Sequence, residues 1–142
     1  MRLLANQERK VIAWADDWNG GLGRQPDMAL GVVDDGGAIV GALLLHKYNL
    51  WTWELEVMGL VSNDVAKVFF DGIFVRAGVK RLEVKTTRDN KKVRKAAPRW
   101  GFTWDGVRKG YYGPYGDALC WYMTPETCRW IETDGIEAAN AQ

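Results

Sequence analysis

Apolar residues recur at near-helical spacing over 5–18, where Val11, Ile12, Trp14, Ala15 and Trp18 share a stripe, and they predict a short helix. Asn19-Gly-Gly-Leu-Gly ends it and opens a flexible loop to Pro26-Asp27. A short strand over 28–33, a turn at Asp34-Asp-Gly-Gly and a long strand over 38–48 follow. The long strand is apolar on both faces, which places it centrally in a sheet. Over 51–61 the pattern alternates, with Trp51, Trp53, Leu55 and Val57 on one face and Thr52, Glu54, Glu56 and Met58 on the other. Ser62 caps a helix carrying Val65, Val68, Phe69, Ile73 and Phe74, which Gly78 stops. Next come a strand over 79–87, a basic helix capped by Asp89 or Asn90 and ended at Gly101, and an antiparallel pair over 102–111 and 118–123. Pro98 removes one backbone donor from the basic helix, so its last turn should bend or tighten. Thr124-Pro-Glu predicts a short closing helix, and 133–142 has little to bury and should fray. A helix joins 51–61 to 79–87, the natural setting for a parallel pair.

At 142 residues and 47% hydrophobic content the chain is long and apolar enough for one domain with a substantial core, over 1–132. Its longest apolar stretches are too short to cross a bilayer. Residues 1–15 lack the apolar core and cleavage site of a leader, so a cytoplasmic location without membrane partners is expected. Cys120 and Cys128 read as buried free thiols, and with a single histidine they cannot fill a zinc site; no metal is expected. Net charge is only +1 but unevenly spread. Residues 74–112 hold twelve Lys/Arg against three Asp/Glu, and residues 1–73 hold six against ten. Such a basic stretch suits a polyanionic ligand, a phosphorylated cofactor or a nucleic acid, although a solvated Lys-rich helix face accounts for the same residues. No recognised nucleic-acid motif accompanies it.

A strand, then Asn90, ten helical residues, Gly101-Phe102, then Asp105-Gly106 and Arg108, is a pattern that resembles the C-terminal half of the GNAT (GCN5-related N-acetyltransferase) superfamily. Within it the chain is most similar to the ribosomal-protein (Rim-type) branch and its small phage-borne relatives. The resemblance implies an α/β (α+β) fold with a mixed, mostly antiparallel sheet, one parallel splayed strand pair and helices on both faces. It implies acetyl-CoA or another acyl-CoA in the V of that splay, and an amine acceptor on a protein, a small molecule or a modified base. The cofactor would follow the splayed strand at Met58 and Leu60, meet the helix start at Ser62, Asn63, Asp64, Val65 and Ala66, and reach Asn90, Lys91 and Lys92. The chain departs from the family where Gln/Arg-x-x-Gly-x-Gly/Ala is usual. Val61-Ser-Asn-Asp-Val-Ala stands there without glycine, and Asp64 opposes phosphate unless it points away.

Acyl transfer to an amine needs a held thioester, a base for the amine proton and an acid for the leaving thiolate. The resemblance implies a Glu on the splayed strand as base. Glu56 is favoured over Glu54 because it is nearer the splay, with its pKa raised by desolvation in an aromatic-walled cleft; solvent-facing strand positions are the other reading of both. His46 and Tyr48 share a face at the end of the long strand and are the alternative acid–base pair. Ala97 occupies the position of the family's frequent general-acid Tyr; Tyr111, Tyr112 and Tyr115 are the substitutes. Of the eight Trp, most must be core or interface, with one or two left for an acceptor platform. The rival reading is a non-catalytic GNAT-fold protein that binds a macromolecule through its basic helix and exposed Trp. Homodimer formation stays open.

Overall fold

A computed structural model describes residues 1–114 and 116–131; Tyr115 and the tail expected to fray at 133–142 lie outside the described residues. The chain runs β1 (Arg2–Leu4), α1 (Glu8–Asn19), β2 (Met28–Val33), β3 (Ile39–Lys47), β4 (Thr52–Gly59), α2 (Asn63–Phe70), a π-helical segment (Asp71–Arg76), β5 (Arg81–Thr86), α3 (Lys91–Trp100), β6 (Thr103–Arg108) and β7 (Ala118–Met123). The strands form a seven-stranded sheet in the order β1-β2-β3-β4-β5-β7-β6. Only β4 and β5 pair in parallel, and all other neighbours are antiparallel.

Period-two alternation divides the apolar residues between the two faces. On one face Val11 and Ala15 of α1 pack with Ala29, Ala42, Leu44 and Met58. On the other, Val65, Phe69 and Phe70 of α2 and Ala97 of α3 cover Leu43, Leu45, Leu55, Leu82 and Trp121. Phe70, fully buried, is the hub of this larger layer, with Phe69, Phe74, Trp100, Phe102 and Trp130 in ring contact around it. Trp53 and Trp121 are buried, Trp14, Trp100 and Trp130 half-buried, and Trp18, Trp51 and Trp104 exposed, so packing does claim most of the tryptophans.

The parallel pair is short. Backbone partners run only Thr52–Arg81, Trp53–Leu82 and Glu54–Glu83, while β4 continues five residues further to Gly59, still paired to β3. The two strands therefore part toward their C-terminal ends, as the resemblance implies. α3 continues through Pro98 to Trp100, and its tight end is a glycine cap. Gly101, at φ 97°, donates to Pro98 O at 3.0 Å, and Phe102 N–H reaches Ala97 O at 3.0 Å, a left-handed cap that only glycine adopts without strain.

Three expectations need correction. The helix expected to run unbroken to Gly78 widens into a π turn from Asp71, closed by Ala77 N–H to Gly72 O at 2.9 Å, with Ile73 and Phe74 still in the core. The closing helix after Thr124 is a single hydrogen-bonded turn, because Cys128 is buried and the Trp130 indole donates to Trp100 O at 2.7 Å, which draws the chain onto α3. β1 was not expected, since three residues are too few for a visible alternation.

Gly41 and Gly59 face each other where β3 leaves β4, and a Cβ on Gly41 would lie 2.1 Å from Leu60 O. Gly41→Ala should therefore destabilise the protein by about 1–3 kcal/mol through backbone displacement. Gly72→Ala, with open space around it, should show no loss of that size. The denaturation midpoints of the two variants check this.

Candidate active site

The parting of β4 and β5 opens a cavity of about 760 Å³. Because it passes between two strands, residues of both faces line it: Glu54, Glu56, Met58 and Lys85 from one, Leu55, Val57 and Val84 from the other. The small side chains of Ala96 and Ala97 leave room along α3, with Val93, Trp100 and Phe102 beside them. Trp18, Arg24, Tyr111 and Tyr112 complete the lining. Lys92 Nζ stands 5.9 Å from the centre of the Trp18 ring, a cation–π approach that links α3 to α1 at the mouth.

Charged residues cluster where the strands part, and the order of their contacts explains their charge states. Lys85 is buried, and its Nζ donates to Glu83 Oε1 at 2.7 Å, Glu54 Oε1 at 3.1 Å and Tyr48 Oη at 3.2 Å. Burial works against its charge, but Glu83, Glu54 and Tyr48 outweigh that and hold its pKa above the ordinary lysine value. Burial likewise opposes ionisation of Glu83, yet Lys85 and Arg81 bring its pKa below the usual value. Arg81 continues the chain to Asp105 at 2.8 Å. Glu54 is only 3% exposed and also accepts from Tyr48 Oη and Arg24 Nη2. Burial and the bond to Glu54 keep the Tyr48 phenol protonated.

Glu56 sits one step further into the cavity and is more open to it. Its Oε1 lies 2.7 Å from His46 Nε2 and 3.4 Å from Arg24 Nη2. The His46 hydrogen bond, helped by Arg24, lowers its pKa against the opposing effect of burial. That is the reverse of the expected upward shift: desolvation is present, but two cationic or donating partners outweigh it. On the hairpin side, burial and then the charge of Glu54 push the Tyr112 phenol up to about 12, so it keeps its proton at neutral pH.

The structure brings Glu54, Glu56, His46 and Tyr48 into one hydrogen-bonded network. Met58, Asn90 and Lys92 line the cavity, and Asn90 also caps α3 by accepting from Val93 N–H at 3.3 Å. Leu60, 57% exposed, and Lys91 do not line it. Val65 and Ala66 are buried, and their amides are already used, by Ser62 Oγ at 3.3 Å and Ser62 O at 2.9 Å. Among the described residues this leaves the amides of Asn63 and Asp64 at the α2 start. Asn63 opens onto a second chamber of about 420 Å³, lined by Lys92, Lys95, Arg99 and Arg129 with Trp100 and Trp130. Lys92, Ala96 and Trp100 line both spaces, so the chamber adjoins the main cavity. Lys95 is a sequence candidate for the 3′-phosphate of the donor, with a solvated helix face as the other reading; Lys85, Arg24, Arg99 and Arg129 were not singled out from sequence. Lys85 had a signal: Arg81, Glu83 and Lys85 at every second position of a strand demand partners on one face. Among the described residues no His, Cys, Asp and Glu cluster could hold a metal ion, and no helix is long and apolar enough to cross a membrane.

No protein-family model matches the sequence, and no curated protein matches it at a significant level. Solved structures do resemble the fold. A chimera of spermidine N-acetyltransferase SpeG from Vibrio cholerae and hSSAT superimposes with a TM-score of 0.70 at 13% identity, over 100% of both chains. A GNAT-family acetyltransferase from Bacillus anthracis matches with a TM-score of 0.61 at 15% identity, over 69% of this chain and 66% of its own. Ribosomal-protein-S5-alanine acetyltransferase from Vibrio fischeri matches with a TM-score of 0.59 at 17% identity, over 74% of this chain and 64% of its own. The match thus spans about two thirds of the length of the last two. At these identities the likeness shows the fold, and the fold is that of GNAT acetyltransferases.

Glu56 and Glu83, both ionised more readily in the folded chain than at the ordinary glutamate value of 4.5, make stability depend on pH. Their contribution is complete above that value and is lost as pH falls through their lower folded values. Unfolding free energy should be flat near neutrality and fall below about pH 4.5. Glu56→Gln should reduce that acid slope without abolishing it, as urea titrations at several pH values would show.

Proposed function

We propose that this chain is an acyl-CoA-dependent N-acyltransferase, with acetyl-CoA the expected donor and an amine the acceptor. The observation that carries the reading is the parting of β4 from β5 beyond Glu54 and Glu83. From Leu55 onward the β5-facing edge of β4 has no strand partner, and its unpaired backbone groups border the cavity. Amides of a pantetheine arm can pair with such an edge as an added strand would. The polyanionic end of the donor fits the adjoining chamber, where Lys92, Lys95, Arg99 and Arg129 supply the positive charge. The Asn63 and Asp64 amides add the helix N-terminus that a phosphate favours. These side chains offset the missing glycine-rich loop, and the exposed Asp64 is free to turn to solvent.

When bound, acyl-CoA supplies an activated acyl group whose thioester carbonyl carbon an amine can attack. The chain's own residues then manage protons. Glu56 holds the amine and takes its proton, with His46 at 2.7 Å to share it. A carboxylate with a lowered pKa is a poor lone base, so the histidine is part of the acceptor. Tyr112, kept protonated beside the cavity, is the donor suited to the leaving thiolate. It takes the acid role that Ala97 leaves vacant, from the lining of the same cavity. Acidic groups at one end and cations at the other orient the two substrates in opposite directions.

Isothermal titration with acetyl-CoA tests the donor. Binding is expected, and Lys92→Glu should weaken it roughly tenfold at low salt, with the difference shrinking as salt rises. No binding at millimolar donor would leave the non-catalytic reading standing. A separate test addresses chemistry. Glu56→Gln should reduce turnover by roughly 10²–10⁴-fold at neutral pH while leaving the donor Kd nearly unchanged. Parallel loss of both would make Glu56 a structural residue.

A further inference from the structure

Arg24 reaches the charged network from a loop outside the central strands. It lies in the loop between α1 and β2, in Gly23-Arg24-Gln25-Pro26. The loop is pinned on both sides of this stretch. Gly21 N–H bonds Asp16 O at 2.8 Å and Leu22 N–H bonds Asp16 Oδ1 at 2.9 Å; beyond it, Asp27 N–H bonds Leu45 O at 2.8 Å, and its Oδ2 accepts from Lys47 N–H at 2.7 Å. Between those pins, 23–26 make no backbone hydrogen bond among the described residues. The guanidinium nevertheless reaches into the cavity and rests on both carboxylates, Glu54 Oε2 and Glu56 Oε1.

We infer that Arg24 is the specificity-determining residue for the acceptor: it covers the carboxylates that the amine must use, and a cationic amine enters by displacing it. The inference rests on the acyl-transfer reading above. Three observations support it. First, Glu54 does not depend on Arg24, because Lys85 at 3.1 Å and Tyr48 remain as donors when the guanidinium leaves. Second, Glu56 would then keep only His46, so it is the carboxylate left with a place for a new donor. Third, the Arg24 side chain is 42% exposed, whereas Lys85 is 1% exposed, so Arg24 is the cation that can leave without opening the core.

The chemistry of the acceptor follows. An alkylammonium group brings a full charge and three donors, and it can replace a guanidinium on a carboxylate. A neutral aromatic amine brings no charge, leaves Arg24 in place and meets a covered Glu56. Arg24 thus favours primary aliphatic amines that are protonated at neutral pH, and it makes them compete for entry.

The first test needs no acyl donor. Methylguanidinium chloride, a probe of the vacated position, is titrated into the full chain and into Arg24→Ala. The variant should bind it roughly tenfold more tightly, and adding Glu56→Gln should remove the gain. Equal binding by wild type and Arg24→Ala would overturn the inference. The second test is kinetic. With acetyl-CoA fixed, KM for propylamine should fall roughly fivefold in Arg24→Ala and KM for aniline by a larger factor, narrowing the preference for the aliphatic amine, and Arg24→Lys should restore the wild-type order. A rise in the propylamine KM would make Arg24 a contact for the acceptor and not its competitor. Should Arg24→Ala melt early, Arg24→Gln carries the same comparison. Absence of acetyl-CoA binding to either protein would refute the acyl-transfer reading, while the methylguanidinium result would still decide whether Arg24 covers a cation site.

Discussion

A buried ammonium group joins two strands at the point where their backbones stop pairing. Glu54 and Glu83 are the last register partners of the parallel pair, and Lys85 binds the side chains of both. A buried charge without partners is far costlier than the same charge paired, so the three groups fix one another's positions. Backbone hydrogen bonding ends at this level, and side-chain ionic bonding replaces it. The rest of the site depends on that arrangement. Glu54 fixed by Lys85 orients Tyr48 and receives Arg24, and Arg24 extends the network to Glu56 and His46. Above the Lys85 level the strands are free to diverge, and the apolar wall of α3 and the edge of β4 form the cavity between them.

Much of this was legible in the order of residues. The strict alternation over β4 put Glu54 and Glu56 on one face and Trp53 and Leu55 on the other, because a strand has no third side. Asn90 and Gly101 marked the ends of α3, since each serves a backbone group that only a cap can satisfy. The illegible parts share a cause: they depend on contacts between residues far apart in the chain. Nothing around Arg24 says that it turns toward residues 30 and 32 positions later. The direction of the Glu56 pKa was misjudged for the same reason, because burial can be read from a pattern but the identity of a partner cannot. Arg99 and Arg129 carry no sequence signal that the fold gathers them with Lys95 around Asn63. The π turn after Phe70 and the single turn after Thr124 were lost to tertiary packing, which overrode helical signals that were locally sound.

The two faces of the sheet also divide the work. Under α2 the layer centred on Phe70 is wholly apolar and rich in aromatic rings, and it supplies rigidity. On the α1 side, Val11, three alanines, Leu44 and Met58 form a smaller layer that gives way to charged groups toward the cavity. A site needing several ionised side chains within a few ångströms is best placed where the apolar layer is small, because water at the mouth lowers the desolvation cost.

The walls of the cavity come from Trp18 and Arg24, from β4, from β5 and α3, and from Tyr111 and Tyr112. Those segments are scattered across most of the sequence, and β7 must insert between β5 and β6 before the last of them is in place. Loop-closure entropy makes such long-range pairings late events in folding. The cavity is therefore a late-forming feature: with only β2, β3 and β4 assembled, Glu54, Glu56 and His46 would stand in register with no cavity between strands. A ligand that binds in that cavity would stabilise the completed topology over every partly folded one.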